Sequence, residues 1–190
     1  MKRLIVGVSG ASGVIYGIRM LEVLKNVPEV ETHLVMSQSA RQTLALESDY
    51  SVRDIQSLAD VVHDIRDIGA SISSGSYKTD GMALLPCSMK TLSGIVHSYS
   101  DNLLIRAADV VLKERRKLVL GVRETPLHLG HLRMMTTAAE MGAIIMPPMP
   151  AFYHRPQNVM DIVDQTVNRV IDQFDITLSE DLFARWQGKS

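Results

Sequence analysis

The stretch Leu4-Ile5-Val6-Gly7-Val8-Ser9-Gly10-Ala11-Ser12-Gly13 joins a short apolar run to a turn of glycine and serine. Residues 4–8 predict a buried strand, and residues 13–27 predict a helix because apolar side chains recur along one face. The first N–H groups of a helix attract an anion, and glycine lets the backbone approach a ligand closely. The stretch therefore predicts a phosphate-binding turn, with the Ser9 and Ser12 hydroxyls as further donors. A tight turn that binds nothing is the alternative.

Short β-rich runs and helical patterns alternate along the rest of the chain. Strands are expected at residues 31–36, 61–63, 82–85, 118–122 and 143–146, and helices at residues 39–47, 52–59, 89–97, 102–115, 128–141 and 158–174. Pro86 is expected to end the strand before it. This alternation predicts the α/β class, with a three-layer, doubly wound parallel sheet of the flavodoxin-like or Rossmann-like type.

The length and composition fit one soluble domain over residues 1–190. The chain has 20 basic and 21 acidic side chains, and its basic residues show no large cluster, which argues against nucleic-acid binding. It has no run of about 20 apolar residues, so no membrane span is expected. The apolar run at 4–8 is too short for a signal peptide, and a single cysteine fits a reducing compartment, so a cytoplasmic location is expected.

The turn and the second strand together indicate which nucleotide binds. The turn is not G-x-G-x-x-G, and the second strand ends Val35-Met36-Ser37. Dinucleotide-binding proteins usually place an acidic residue about 20 residues after the glycine motif, to bind the ribose. Its absence argues against NAD and favours a mononucleotide such as FMN.

Charged residues mark two further candidate sites. Arg123 and Glu124 follow the strand at 118–122, at the edge where such sheets bind ligands; a surface ion pair is the alternative. Arg106 and Lys113 lie seven residues apart, so they share a helix face that can hold a phosphate or simply be solvated. The serine-rich segment 69–81 is either a mobile ligand-covering loop or a polar surface loop.

Metal and thiol chemistry are not expected. His128 and His131 lack a third ligand in sequence, and Cys87 has no activating neighbour.

A set of motifs in this order resembles the UbiX-type flavin prenyltransferases, formerly labelled phenylacrylic acid or polyprenyl-hydroxybenzoate decarboxylases. The motifs are Gly7-x-Ser9-Gly10-Ala11-Ser12-Gly13, Ser73-Ser74-Gly75-Ser76, Pro86-Cys87-Ser88, Ala107-Ala108-Asp109-Val110-x-Leu112-Lys113-Glu114, Arg123-Glu124-Thr125-Pro126-Leu127 and Tyr153-His154-Arg155-Pro156. The resemblance covers nearly the whole chain and is strongest to the enterobacterial branch.

The resemblance implies an enzyme that joins a dimethylallyl group from dimethylallyl monophosphate to N5 and C6 of reduced FMN without a metal. The prenylated FMN would pass to a UbiD-type decarboxylase. The subunits would form a homododecamer, with active sites at subunit junctions. We expect residues 176–190 to lie in subunit contacts, because Leu178, Leu182, Phe183 and Trp186 have the spacing of a docking segment.

The resemblance also implies roles for individual residues. The FMN-binding residues would be Gly10, Ala11, Ser12, Ser37, Ser88, Met89, Lys90, Thr91 and Arg123. Those holding dimethylallyl phosphate would be Arg106, Lys113, Tyr153 and Arg169, partly from neighbouring subunits. Glu47 and Glu124 would move protons, and Ser12 would help orient the flavin. Tyr77 stands where some relatives carry Trp.

Three other functions are possible for such a chain. An FMN-dependent decarboxylase of the cysteine-decarboxylating class would carry Pro-x-Met-Asn-x-x-Met-Trp, where this chain has Pro148-Met149-Pro150-Ala151-Phe152-Tyr153. A non-catalytic FMN carrier would need the glycine turn but not Arg123 and Glu124 together with Lys113 and Arg169. The older labels suggest a direct aromatic-acid decarboxylase, which an assay without a partner protein would test.

Overall fold

The computed structural model describes residues 1–188 of the chain. Lys189 and Ser190, the last residues of the predicted docking segment, lie outside the described residues. The strands are β1 (Lys2–Val8), β2 (Val30–Met36), β3 (Val61–His63), β4 (Gly81–Cys87), β5 (Lys117–Val122) and β6 (Ile144–Ile145). The α-helices are α1 (Val14–Leu24), α2 (Gln38–Glu47), α3 (Val52–Leu58), α4 (Met89–Val96), α5 (Leu103–Lys113), α6 (Leu129–Glu140) and α7 (Val159–Asp172). Most of these elements agree with the predicted ones to within one to three residues.

The strands form one parallel sheet in the order β3-β2-β1-β4-β5-β6. The predicted doubly wound α/β fold is confirmed, and this strand order is the Rossmann-like one. The order reverses between β1 and β4, where Leu4 pairs with Gly81 and Gly7 pairs with Leu84. In such sheets, ligands bind beyond the carboxyl ends of the strands at the reversal.

Alternating residues of the strands separate the core into two layers. Leu4 and Val6 pack with α1 and α7 on one face, whereas Ile5 packs with α4 and α5 on the other. All three side chains are buried. The first face is called the α7 face and the second the α5 face below.

The expectation that Pro86 ends its strand is wrong. Strand β4 continues through Pro86 to Cys87, with a cis peptide bond between Leu85 and Pro86. Proline has no N–H to give to a ladder, and the pairing of β4 with β5 shifts register between Leu84 and Cys87. The irregular register accommodates the proline, so the strand persists.

The helices of residues 1–188 include none that combines the length and the apolar character needed to cross a bilayer.

Candidate active site at the carboxyl edge of the sheet

Backbone hydrogen bonds join the carboxyl ends of the four central strands. The N–H of Ser37 donates to the Val8 carbonyl at 3.0 Å, and the N–H of Ser9 donates to the Pro86 carbonyl at 3.2 Å. The N–H of Arg123 donates to the Cys87 carbonyl at 3.0 Å. The structure thereby gathers at one edge the residues predicted to bind FMN, which are Gly10, Ala11, Ser12, Ser37, Ser88, Met89, Lys90, Thr91 and Arg123.

Gly10 lies directly against the start of α2. A Cβ atom at this position would overlap with the Cβ and Oγ of Ser39 and lie 3.0 Å from its backbone carbonyl carbon. The Ser39 Oγ is also 3.0 Å from the Ser37 Oγ. Sequence analysis missed Ser39, although its place in the first turn of a helix next to Ser37 was a usable signal.

Serine hydroxyls cap the helices that follow β2 and β4. The Ser37 Oγ accepts from the Ala40 N–H at 3.0 Å, and the Ser88 Oγ accepts from the Thr91 N–H at 3.3 Å. A hydroxyl that accepts a capping bond still has a proton to donate. The starts of α2 and α4 therefore present backbone N–H groups, hydroxyl donors and positive helix ends at the same edge, which suits a phosphate group.

Ser9 does not serve as a ligand donor in this arrangement. Its side chain is buried, donates to the Pro86 carbonyl at 2.9 Å and accepts from the Ser88 N–H at 2.8 Å. These bonds join β1 to the end of β4. The expectation that the Ser9 hydroxyl faces an anion is therefore wrong, because both of its hydrogen-bonding roles are used inside the protein.

Glu47 occupies the start of α1. Its Oε2 accepts from the Gly13 N–H at 2.8 Å and from the Val14 N–H at 3.3 Å. Gly13 caps α1 with φ at 98°, in the region that favours glycine. The first turn of α1 does attract an anion, as the sequence predicted, but that anion is the protein's own carboxylate. The expectation that these N–H groups are free for phosphate is wrong for Gly13 and Val14.

Arg123 and Glu124 are exposed after β5. Burial raises the pKa of Tyr16, and the positive charge of Arg123 partly opposes that rise. The Glu124 Oε1 accepts from the Thr125 N–H at 2.9 Å. The two side chains do not pair in the structure, so the surface ion-pair alternative finds no support.

Arg106 and Lys113 share α5 as predicted, on the α5 face of the sheet. The Arg106 guanidinium donates to the Ser73 carbonyl at 3.1 Å and pairs with Asp109 at 2.9 Å. Lys113 pairs with Glu114 at the end of the helix. A pocket of about 500 Å³ lies beside the C-terminal ends of α5 and α6, and its charged lining residues are Lys113, Arg115, Arg116 and Glu140.

The serine-rich segment 69–81 is held by two basic side chains, Arg106 and Arg116. Arg116 donates to the carbonyls of Gly75 at 2.7 Å and Tyr77 at 3.0 Å. The segment contains a short 3-10 turn at Ser71–Ser73 and is held by side chains of α5 and its C-terminal extension. The segment is therefore anchored by Arg106 and Arg116.

Gln165 links Tyr153 to α7, the helix that carries Arg169. The Gln165 Nε2 donates to the Tyr153 hydroxyl at 3.5 Å, and Arg169 lies one turn further along α7. The side chain of Arg169 is 46% exposed and pairs with Asp172 at 3.2 Å. Gln165 is a further neighbour of the candidate phosphate-binding pair that sequence analysis missed.

The residues set aside for metal and thiol chemistry have other contacts. The His128 Nδ1 accepts from the N–H groups of Gly130 at 3.0 Å and His131 at 3.4 Å, so His128 caps α6. Burial raises the pKa of the Cys87 thiol well above its usual value. Within residues 1–188, no group of three or more His, Cys, Asp or Glu side chains is arranged to hold a metal ion.

The flavoprotein family model matches residues 1–171. The chain is 76% identical to the flavin prenyltransferase UbiX of Escherichia coli K12 over 188 aligned residues. The alignment covers 99% of this chain and 100% of the relative. The chain belongs to the UbiX family of flavin prenyltransferases. UbiX of Thauera aromatica is 62% identical over 98% of the chain and 94% of its own length.

Solved UbiX-family structures share this fold. AnUbiX in complex with FMN and dimethylallyl pyrophosphate has a TM-score of 0.94 and 47% identity, over 100% of this chain and 99% of that one. A dodecameric FMN-dependent UbiX-like decarboxylase from Escherichia coli O157:H7 has a TM-score of 0.94 and 53% identity, over 98% of this chain and 100% of that one. The FMN-dependent cysteine decarboxylase SpaF is only 17% identical and shares the fold alone. The UbiX family assignment is therefore favoured over the cysteine-decarboxylating class.

Proposed function

We propose that the protein transfers the dimethylallyl group of dimethylallyl monophosphate to N5 and C6 of reduced FMN and releases phosphate. The observation that carries this proposal is the gathering of Gly10, Ser37, Ser88 and Arg123 at one edge with a carboxylate, Glu124, next to them. A solved relative holds FMN and dimethylallyl pyrophosphate, which supports FMN and a phosphate ester of dimethylallyl alcohol as the two substrates.

The residues at this edge fit FMN. The hydroxyls that cap α2 and α4 can donate to its phosphate, and Arg123 supplies positive charge. Gly10 leaves room where any side chain would meet Ser39. Reduced FMN supplies the nucleophilic ring atoms. Ser12 orients the flavin, and Glu47 and Glu124 hold and move protons.

Arg106, Lys113, Tyr153 and Arg169 would bind the phosphate of the prenyl donor. Breaking the allylic C–O bond leaves negative charge on that phosphate, which fixed cationic and hydroxyl donors stabilise. Three cations and a phenol provide this stabilisation, so we propose that the reaction needs no metal ion.

These four residues do not meet within one subunit. Arg106 and Lys113 lie on the α5 face, whereas Tyr153 and Arg169 lie on the α7 face with the sheet between them. Lys113 also precedes the start of β5, and Arg123 follows its end, so a six-residue strand of about 20 Å separates them. We therefore propose that each site combines residues of several copies, within a dodecamer like that of the solved relative.

Mixed oligomers of Lys113→Ala and Arg169→Ala subunits are expected to recover activity that neither parent has. If the two residues come from different subunits, equal random mixing leaves about a quarter of the junctions with both side chains intact. The measurement is prenyl transfer by co-expressed, doubly tagged oligomers compared with each parent.

A mixture of Lys113→Ala with a Lys113→Ala/Arg169→Ala variant is the matched control. It contains no intact junction in any arrangement, so it should stay as inactive as its parents. If the first mixture is no more active than the average of its parents, both residues serve a site within one subunit and the composite site is wrong.

The product is expected to carry one added five-carbon prenyl unit. The purified protein is incubated without oxygen with reduced FMN and dimethylallyl monophosphate, and the extracted flavin is analysed by mass and absorbance. Parallel samples hold dimethylallyl pyrophosphate, or an aromatic acid alone. An unchanged flavin mass with both prenyl donors would contradict the proposal, and carbon dioxide from the aromatic acid alone would favour a direct decarboxylase.

Two wider proposals concern the fate of the product and the location of the protein. Prenylated FMN is a cofactor made for use elsewhere, and we propose that a UbiD-type decarboxylase receives it. A cytoplasmic location is supported by the single cysteine, Cys87, which is buried as a free thiol.

A further inference from the structure

The segment of residues 178–188 packs beside Tyr153 and Arg169. The Leu182 N–H donates to the Asn168 Oδ1 at 2.7 Å. The rings of Phe183 and Trp186 lie edge-on to Tyr153, with centroids 6.4 Å and 6.1 Å away. This end of the described chain thus packs on its own subunit, although Trp186 remains 61% exposed. Its predicted role in subunit contacts stays a prediction.

Two arginines meet at the carboxylate of Asp172. Arg185 contacts both oxygens, with distances of 2.8 Å to Oδ1 and 2.9 Å to Oδ2. Arg169 contacts Oδ2 alone, at 3.2 Å. The fork of Arg185 is therefore the stronger pair, since two parallel N–H bonds to a carboxylate outweigh one longer bond.

The charges around Asp172 are balanced. Its hydrogen bonds with Arg185, with a smaller contribution from the Arg169 charge, hold the pKa of Asp172 below its usual value, so it is ionised near neutral pH. Arg185 also contacts both oxygens of Asp181, at 2.6 Å each. Two carboxylates and two guanidinium groups therefore sum to zero, and without Arg185 the charges of Asp172, Asp181 and Arg169 would sum to −1.

We infer that Arg185 is a positioning residue for the prenyl phosphate substrate, because its fork on Asp172 keeps Arg169 from being captured by that carboxylate. This inference rests on the proposed role of Arg169 in binding phosphate. Without Arg185, Asp172 would take Arg169 as its main partner and place an uncompensated negative charge beside the incoming phosphate. Arg185 acts through Asp172 and need not touch the substrate.

Arg185→Ala is expected to raise the half-saturating concentration of dimethylallyl monophosphate about fivefold, the size of a strong exposed ion pair. Asp172→Asn/Arg185→Ala is expected to return this concentration to within about twofold of wild type, because the carboxylate that would capture Arg169 is gone. The measurement is steady-state kinetics on the assembled protein with saturating reduced FMN, together with the inhibition constant of inorganic phosphate. Asp181→Asn is the matched control, since it removes a partner of Arg185 that does not contact Arg169.

A purely structural role for Arg185 gives a different pattern. If Arg185 only fastens residues 178–188, the double variant stays as weak as Arg185→Ala, and this result overturns the inference. Trp186 is the single tryptophan, so its fluorescence reports directly whether the segment has detached in each variant. Regained affinity in a double variant with a detached segment identifies the effect as electrostatic.

The Arg169→Ala variant separates this inference from the proposed function. If Arg169→Ala weakens both dimethylallyl monophosphate and inorganic phosphate while Arg185→Ala changes neither, the inference alone is wrong. If Arg169→Ala also leaves both affinities unchanged, Arg169 lies outside the site, and both this inference and the proposed role of Arg169 in binding phosphate are wrong, whereas prenyl transfer itself is decided by the mass of the flavin product.

Discussion

Glu124→Gln is expected to bind FMN as the wild type does and to lose about 10²- to 10⁴-fold in the rate of prenyl transfer, the usual contribution of a general acid–base group. Glutamine keeps the shape of the side chain and an oxygen that can accept from the Thr125 N–H, as Glu124 does at 2.9 Å. It cannot take up or release a proton at the pH of the assay. The loss should therefore fall on turnover and leave substrate affinity nearly unchanged.

Single-turnover kinetics with prebound reduced FMN measures the chemical step. Glu47→Gln is the companion variant, because its amide oxygen can still accept from the Gly13 and Val14 N–H groups that Glu47 caps. A loss in Glu47→Gln with unchanged thermal stability assigns a proton-transfer role to Glu47 beyond its capping of α1. Wild-type turnover in Glu124→Gln would show that another group moves the proton.

Local patterns in the sequence determine most of the fold. Apolar residues at helical spacing mark α1 and α5, and short apolar runs mark β1 and β5, so these elements were predicted closely. The edge that carries the candidate site follows from the same information, since the carboxyl ends of parallel strands lie together. The position of Arg123 directly after an apolar run is therefore enough to place it at that edge.

Contacts between distant parts of the chain were beyond the sequence. Glu47 reaches Gly13 across 34 residues, and Ser9 bonds to Ser88 across 79 residues. The glycine-rich turn correctly indicated that an anion lies at the start of α1, but no local pattern distinguishes a bound phosphate from the protein's own carboxylate. The prediction that β4 ends at Pro86 was wrong for a related reason. The pairing with the neighbouring strand β5 decides where the sheet tolerates a residue without an N–H.

The division of the cationic residues between two faces was also beyond local patterns. The seven-residue spacing of Arg106 and Lys113 correctly placed both on α5. Which face α5 covers depends on the handedness of the crossover between β4 and β5, and the position of α7 depends on the chain crossing the sheet after β6. The separation of Lys113 from Arg169 therefore emerges only from the assembled fold, and it requires neighbouring subunits if both bind one phosphate.

Gly10→Ala is expected to weaken FMN binding by about tenfold or more, since overpacking of this kind costs about 1–3 kcal/mol. The added methyl group would overlap with the side chain of Ser39 and lie 3.0 Å from its backbone carbonyl carbon. The Cβ of Ser39 is fixed to its backbone and cannot rotate away, so the start of α2 must move and carry Ser37 with it. Equilibrium dialysis measures the affinity for FMN, and circular dichroism verifies that the fold persists.

Ser39→Gly provides the matched control for this clash. In Gly10→Ala/Ser39→Gly the overlapping Cβ and Oγ atoms are gone, and the remaining 3.0 Å backbone contact needs a shift of only a few tenths of an ångström. The double variant should therefore regain most of the lost affinity, while Ser39→Gly alone should bind FMN nearly as the wild type does. Full affinity in Gly10→Ala would show that FMN does not depend on the contact between the first turn and α2. Weak binding that persists in the double variant would show that the methyl group obstructs the ligand directly, which places FMN against Gly10 itself.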